Sequence, residues 1–259
     1  MKEQQRQHLE KLRRAHQRRI HVLELQAASF GLSAPPHVLT ETEDIKQEIA
    51  SIDAQLAESK QPTSQFPEQK TISILFLSAD PTDVTRLRLG EELREIQEKL
   101  QLAKLRERFT LEQRMSVRPA DISQAFLDVQ PQIVHFSSHG TTTDALCFEN
   151  LIGETHPIES AALAALFEQF ADQVNCVILN ACYSEIQASA ISKHINYVIG
   201  MNQTISDKAA IAFVIGFYQA LGAGRTAKEA YKLGCVQIRL QGIPEHLTPV
   251  LIKQGQIQP

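Results

Sequence analysis

The sequence predicts an α/β fold, a mainly parallel sheet with helices on both faces, preceded by an N-terminal α-helical hairpin. Three observations carry this. Residues 1–58 hold two apolar stripes of helical period and no strand-like run. Residues 59–70 (SKQPTSQFPEQK) are polar and contain Pro62 and Pro67, as expected of a linker. From residue 71 onward, short apolar runs alternate with amphipathic segments, the pattern that builds a parallel sheet buried on both sides.

In the first helix Leu9, Leu12, His16, Ile20, Leu23, Ala27 and Phe30 recur at spacings of three and four. Gly31 is placed to cap its end, and Pro35-Pro36 cannot continue it. Thr40 and Glu43 have the spacing of a capping box, which predicts that the second helix starts there. Its stripe is Ile45, Ile49, Ile52 and Leu56. Further on, strands are predicted over 71–77, 109–116, 132–137, 145–148, 174–180 and 196–201. Helices are predicted over 86–106, 119–128, 158–171, 184–194, 206–222 and 226–240. No internal repeat stands out.

The bulk numbers exclude some function classes. At 259 residues, with 43% hydrophobic and 22% charged residues, the chain has ordinary globular composition. A net charge of −4 and a pI near 6.1 give no electrostatic case for nucleic acid. The basic block Lys11, Arg13, Arg14, His16, Arg18, Arg19 and His21 reads as a solvated helix face. No apolar run reaches about 18 residues, so no membrane span is expected. The polar N-terminus has no apolar signal core, and the expected compartment is the cytoplasm. Cys147, Cys176, Cys182 and Cys235 form no CxxC or zinc-finger spacing, and the Cys–His chemistry set out below implies no metal or organic cofactor. Three of them sit in apolar contexts (LCF, NCVIL, GCV) and read as small core residues.

In open α/β sheets, reactive groups gather beyond the carboxyl ends of the strands. Those positions hold Ser78-Ala79-Asp80, Ser138-His139-Gly140, Ala181-Cys182-Tyr183-Ser184 and Asn202 to Asp207. A Cys and a His at neighbouring strand ends suit acyl transfer. The imidazole helps form the thiolate and then protonates the leaving amine. Cys182 also opens a helix, where peptide N–H groups favour negative charge. Gly140 allows close backbone approach, and its N–H is a candidate second oxyanion donor.

IVHFSSHG at 133–140 and VILNACYS at 177–184 resemble the two active-site motifs of CHAT domains, caspase-like proteases (clan CD) related to caspases, metacaspases and separase. Residues 205–234 resemble the family's C-terminal helices, and the likeness covers about 71–253. It implies a caspase-like fold over 71–259 and peptide-bond hydrolysis by a dyad of His139 and Cys182. The backbone amides of Gly140 and Cys182 would be the oxyanion donors. An acidic residue in the S1 pocket of basic-preferring relatives makes Asp207 a candidate for binding the substrate side chain; equally, Asp207 could simply cap the helix after Ser206. Asn180 stands where metacaspases carry an Asp. Asp80 lies on the same sheet edge, or merely starts an Asp-Pro turn. His135 is expected to be a satisfied sheet residue, and His156, His194 and His246 surface residues.

The N-terminal hairpin (1–58) resembles small helical modules beside effector domains in bacterial defence proteins. That implies docking to an activating protein partner or to a second copy, and low basal activity of the chain alone. The expected function is therefore a regulated cysteine endopeptidase acting on a protein substrate. A non-enzymatic scaffold of the same fold is the alternative. A nucleotide-binding role lacks both GxGxxG and GxxxxGK[ST].

Overall fold

In the computed structural model, residues 3–30, 35–58, 71–141 and 145–258 are described. The chain divides into two compact units, Met1–Thr63 and Ser64–Pro259. The expected linker at 59–70 and the expected cap at Gly31 lie outside the described residues.

The first unit is the hairpin of α1 (Glu3–Phe30) and α2 (Pro36–Glu58). Leu23, Val38 and Ile45 are buried between the helices, with Ile20 and Ile49 against them. The predicted start of α2 at Thr40 is corrected: the helix begins four residues earlier, at Pro36. Proline suits a first turn because its missing N–H would have no partner there. The basic block is more than a solvated face. Arg13 pairs with Asp53 at 2.6 Å, His16 lies 3.4 Å from Glu48, and Arg19 pairs with Glu41 at 2.7 Å. The reversed order of these partners along α2 marks the helices as antiparallel. The arginine pairs are half-exposed, so each contributes at most about 1 kcal/mol.

The second unit is built on a seven-stranded sheet of order β2-β1-β3-β6-β7-β8-β9. Its strands are β1 (Ile72–Ser78), β2 (Phe109–Arg114), β3 (Ile133–Ser137), β6 (Cys176–Asn180), β7 (Tyr197–Met201), β8 (Pro249–Lys253) and β9 (Gln256–Ile257). The first five are parallel; β8 and β9 are antiparallel additions. Side-chain alternation sends each strand's apolar residues to two cores. Ile72, Ile74 and Phe76 of β1 join α3 (Leu89–Gln101), α7 (Asp207–Gly222) and α8 (Ala227–Leu240) on one face. Leu75 and Leu77 join α4 (Pro119–Val129), α5 (Ser160–Gln169) and α6 (Glu185–Ile191) on the other. A separate antiparallel hairpin pairs β4 (Ala145–Glu149) with β5 (Thr155–Glu159).

Two helix bounds shift and three strands are added. The helix predicted over 86–106 shortens to Leu89–Gln101 because residues 80–88 form a loop. The helix predicted from 158 starts at Ser160, since Thr155–Glu159 is a strand. Pro157 fits that strand because it lies in an isolated two-stranded hairpin. β8 and β9 were not expected: a five-residue run opened by proline and a two-residue strand carry little periodic signal.

Ser184 is the central tie between β6 and β7. Its buried hydroxyl donates to the Leu179 carbonyl and accepts from the Met201 N–H, both at 2.9 Å. Ser184→Ala leaves both groups unpaired at a cost of about 2 kcal/mol. A fall in thermal midpoint of roughly 4–8 °C is expected; calorimetry showing less than about 1 °C would contradict this role.

Candidate active site

The register of β3 and β6 builds the site. Ser137 pairs with Asn180, so His139 and Cys182 each stand two residues beyond a matched pair on adjacent strands, which run about 4.8 Å apart. The ladder continues past the strands: the Ser138 N–H reaches the Asn180 carbonyl at 3.4 Å. His139 and Cys182 line one cavity of about 40 Å³, and both are partly exposed. That is space for about two waters.

His139 is fixed at both backbone and ring. Its carbonyl accepts from the Cys147 N–H of β4 at 2.9 Å. Its Nε2 lies 2.7 Å from the Thr85 carbonyl oxygen. A carbonyl can only accept, so Nε2 carries the hydrogen and Nδ1 is left to exchange a proton. The 80–88 loop that presents Thr85 is itself tied down. The Asp80 carboxylate accepts from Arg86 at 2.8 Å and from the Leu87 N–H at 3.2 Å. Asp83 accepts from the N–H and hydroxyl of Thr155, both at 2.9 Å, which holds its carboxyl below the usual range.

Cys182 occupies the sharp turn from β6 into α6. Tyr183 takes a left-handed conformation (φ 57°), which costs a non-glycine residue about 1–2 kcal/mol. Two bonds hold it. Its N–H donates to the Gln203 carbonyl at 3.3 Å, and its hydroxyl accepts from Thr204 at 3.0 Å. The same loop brings the Ile205 N–H to 3.5 Å from the Cys182 sulfur, so the sulfur has a backbone donor. Among the described residues, no group accepts from the backbone N–H of Gly140 or of Cys182. Gly140 packs directly on the Cys182 backbone: a Cβ there would overlap the Cys182 carbonyl oxygen.

Asn180 and Asp207 line the same cavity. Asn180 is buried, and among the described residues its Oδ1 has no hydrogen-bond partner. Asp207 is the first residue of α7, and the cap is Ser206, whose hydroxyl accepts from the Ala209 N–H at 3.3 Å. Asp80 is not among the cavity-lining residues; its carboxylate anchors the loop that carries Thr85. The other thiols are disfavoured as nucleophiles: burial pushes Cys176 up to about 12, Cys235 up to about 11, and Cys147 upward. His135 is fully buried and bonded, and His156 is exposed, as expected; His194 and His246 are half-buried. Among the described residues no cluster of three His, Cys, Asp or Glu is arranged to hold a metal, and no helix is long and apolar enough to cross a membrane.

Thr85 and Ile205 escaped sequence reasoning because they act through backbone atoms, which any residue type supplies. Glu92 left a legible signal. It falls among Leu89, Leu93 and Ile96 on the apolar face of α3, where a carboxylate is out of place unless it is paired.

The family model for the CHAT domain matches residues 4–242, hairpin included. A Roc-COR-CHAT protease from an unidentified prokaryote is 26% identical over 198 residues, covering 71% of this chain and 19% of that protein. A protein named as a probable protease from Gillisia limnaea is 24% identical over 199 residues, covering 71% and 35%. A Roc-COR-CHAT protease from Runella zeae is 28% identical over 196 residues, covering 74% and 18%. The chain thus spans about a fifth to a third of the length of these relatives.

Proposed function

The chain belongs to the CHAT domain family, and from that premise we propose that it is a cysteine endopeptidase with Cys182 as nucleophile and His139 as its acid–base partner. The observation that carries this reading is the β3–β6 register, which sets both residues on one cavity with the His139 Nδ1 uncommitted. The thiol gives its proton to Nδ1 and attacks the scissile carbonyl. The oxygen that becomes negative is met by the N–H groups of Gly140 and Cys182. The imidazolium then protonates the departing amine, leaving a thioester on Cys182. Water, deprotonated by the same imidazole, hydrolyses the thioester and restores the thiol.

Asp207 and the unpaired Asn180 Oδ1 offer acceptors to the substrate side chain before the scissile bond, and so favour a donor-bearing one such as Arg or Lys. The enclosed part of the cavity, about 40 Å³, is smaller than such a side chain, so the chain alone is expected to cleave slowly. We read it as a regulated effector of a bacterial defence or signalling system, accelerated by a protein that docks on the N-terminal helices. Cleavage-site profiling in a mixed peptide library, at high enzyme concentration and with Cys182→Ala as control, tests the activity. Sites following Arg or Lys are expected in the wild type. Asp207→Asn is expected to lower their cleavage at least about tenfold, as for the loss of one charged hydrogen bond. A site profile that Asp207→Asn leaves unchanged would remove Asp207 from the substrate pocket.

A further inference from the structure

We infer that Glu92 is a positioning residue of the active site: its buried carboxylate joins the ends of both reactive strands to α3. Three donors converge on it. Ser137, two residues before His139, donates to Oε2 at 2.5 Å. Asn180, two residues before Cys182, donates to Oε1 at 2.7 Å. The His135 Nε2 lies 2.8 Å from the same Oε1. A carboxylate that already takes a hydroxyl and an amide hydrogen is the acceptor here, so His135 presents its Nε2–H to Glu92. Its Nδ1 then faces the Tyr218 hydroxyl of α7 at 3.1 Å. All five side chains are at most 6% exposed.

The placement is specific to the site, not general to the core. Glu92 sits in the first turn of α3, immediately after the loop whose Thr85 carbonyl orients the His139 ring. One carboxylate therefore locks three things at once: the β3 end bearing the imidazole, the β6 end bearing the thiol, and the helix start beside the ring's hydrogen-bond acceptor. Without it, the two strand ends remain in the sheet ladder but lose the common anchor that fixes their separation. Misplacement by about 1 Å costs an enzyme about a hundredfold. The loss belongs in the chemical step, because Glu92 is engaged by the protein's own donors.

This inference rests on the dyad reading above. The experiment compares wild type, Glu92→Gln and Ser137→Ala on a fluorogenic peptide chosen from the library. Active sites are counted with an electrophilic peptide probe, so that misfolded molecules do not enter kcat. Glu92→Gln keeps the side-chain shape and is expected to lower kcat per titrated site about 30- to 100-fold while KM changes less than threefold. Ser137→Ala removes one donor only and is expected to lower kcat about three- to tenfold, which keeps the test alive if Glu92→Gln does not fold. Unchanged kcat per titrated site in the folded variants, even with a lowered thermal midpoint, would assign Glu92 to stability alone and overturn the inference. Absence of Cys182-dependent turnover in the wild type would remove the dyad reading and this inference with it.

Discussion

Cys182→Ala is expected to abolish cleavage of every library peptide while leaving the thermal midpoint within a few degrees of wild type. The two halves of this expectation have different causes. Alanine has no nucleophile, and no neighbouring group can replace it. Cys176 is buried in the sheet core, Cys235 is largely enclosed, and Cys147 is a buried residue of β4. Burial raises the pKa of all three, so their thiolate populations at neutral pH are small. Stability survives because little packing is lost. The Cys182 sulfur is part-buried at the cavity, and its hydrogen bonds are long, 3.5 Å to the Ile205 N–H and 3.8 Å to its carbonyl oxygen. A cavity-facing truncation of this kind falls near the lower end of mutational costs. Peptidase assays and calorimetry on the same preparation read both halves. Residual cleavage in this variant above a few per cent of wild type would end the assignment of Cys182 as nucleophile.

Much of this was legible in the sequence because two-sided burial leaves a strong mark. Runs such as ISILFLS and CVILN, separated by helix-period segments, can hardly be anything but central parallel strands. The strand-end rule then pointed to residues 139, 140, 182 and 207 without any knowledge of strand order. What the sequence did not reveal lies in two kinds of feature. Weakly periodic strands are not legible: β5, β8 and β9 are short, and two of them contain proline. Contacts through backbone atoms are not legible either. The Thr85 carbonyl chooses which nitrogen of His139 carries the hydrogen, yet the same carbonyl would exist with almost any residue at 85. Asp80 left two readings open in the sequence, cleft lining or the start of an Asp-Pro turn, and its bonds to Arg86 and the Leu87 N–H match the second. Glu92 lies between these cases. Its place on an apolar helix face was visible, whereas its partners, 43 to 88 residues away, appear only once the sheet is assembled.

Gly140→Ala is expected to remove activity almost as completely as Cys182→Ala but to cost stability too, and that contrast tests the geometry of the site. A Cβ at 140 would overlap the carbonyl oxygen of Cys182 and lie 3.2 Å from its nitrogen. Both atoms are backbone, so no flexible side chain can swing aside. The segments 138–140 and 180–182 must move apart, which strains the bond from the Ser138 N–H to the Asn180 carbonyl. Such overpacking typically costs about 1–3 kcal/mol, or roughly 2–12 °C in thermal midpoint. The same displacement separates the imidazole from the thiol and pulls apart the two N–H groups proposed to meet the oxyanion. A fall of at least about a hundredfold in kcat/KM is expected. Gly90→Ala is the matched control. It adds the same methyl in the first turn of α3, where, beyond the helix's own backbone, nothing among the described residues lies within 4 Å, and is expected to leave activity intact and to stabilise slightly, since alanine favours helix over glycine by about 1 kcal/mol. If Gly140→Ala cleaved peptides within about threefold of wild type, the close approach of the two loops would not exist in solution, and the pairing of His139 with Cys182 would lose its structural basis.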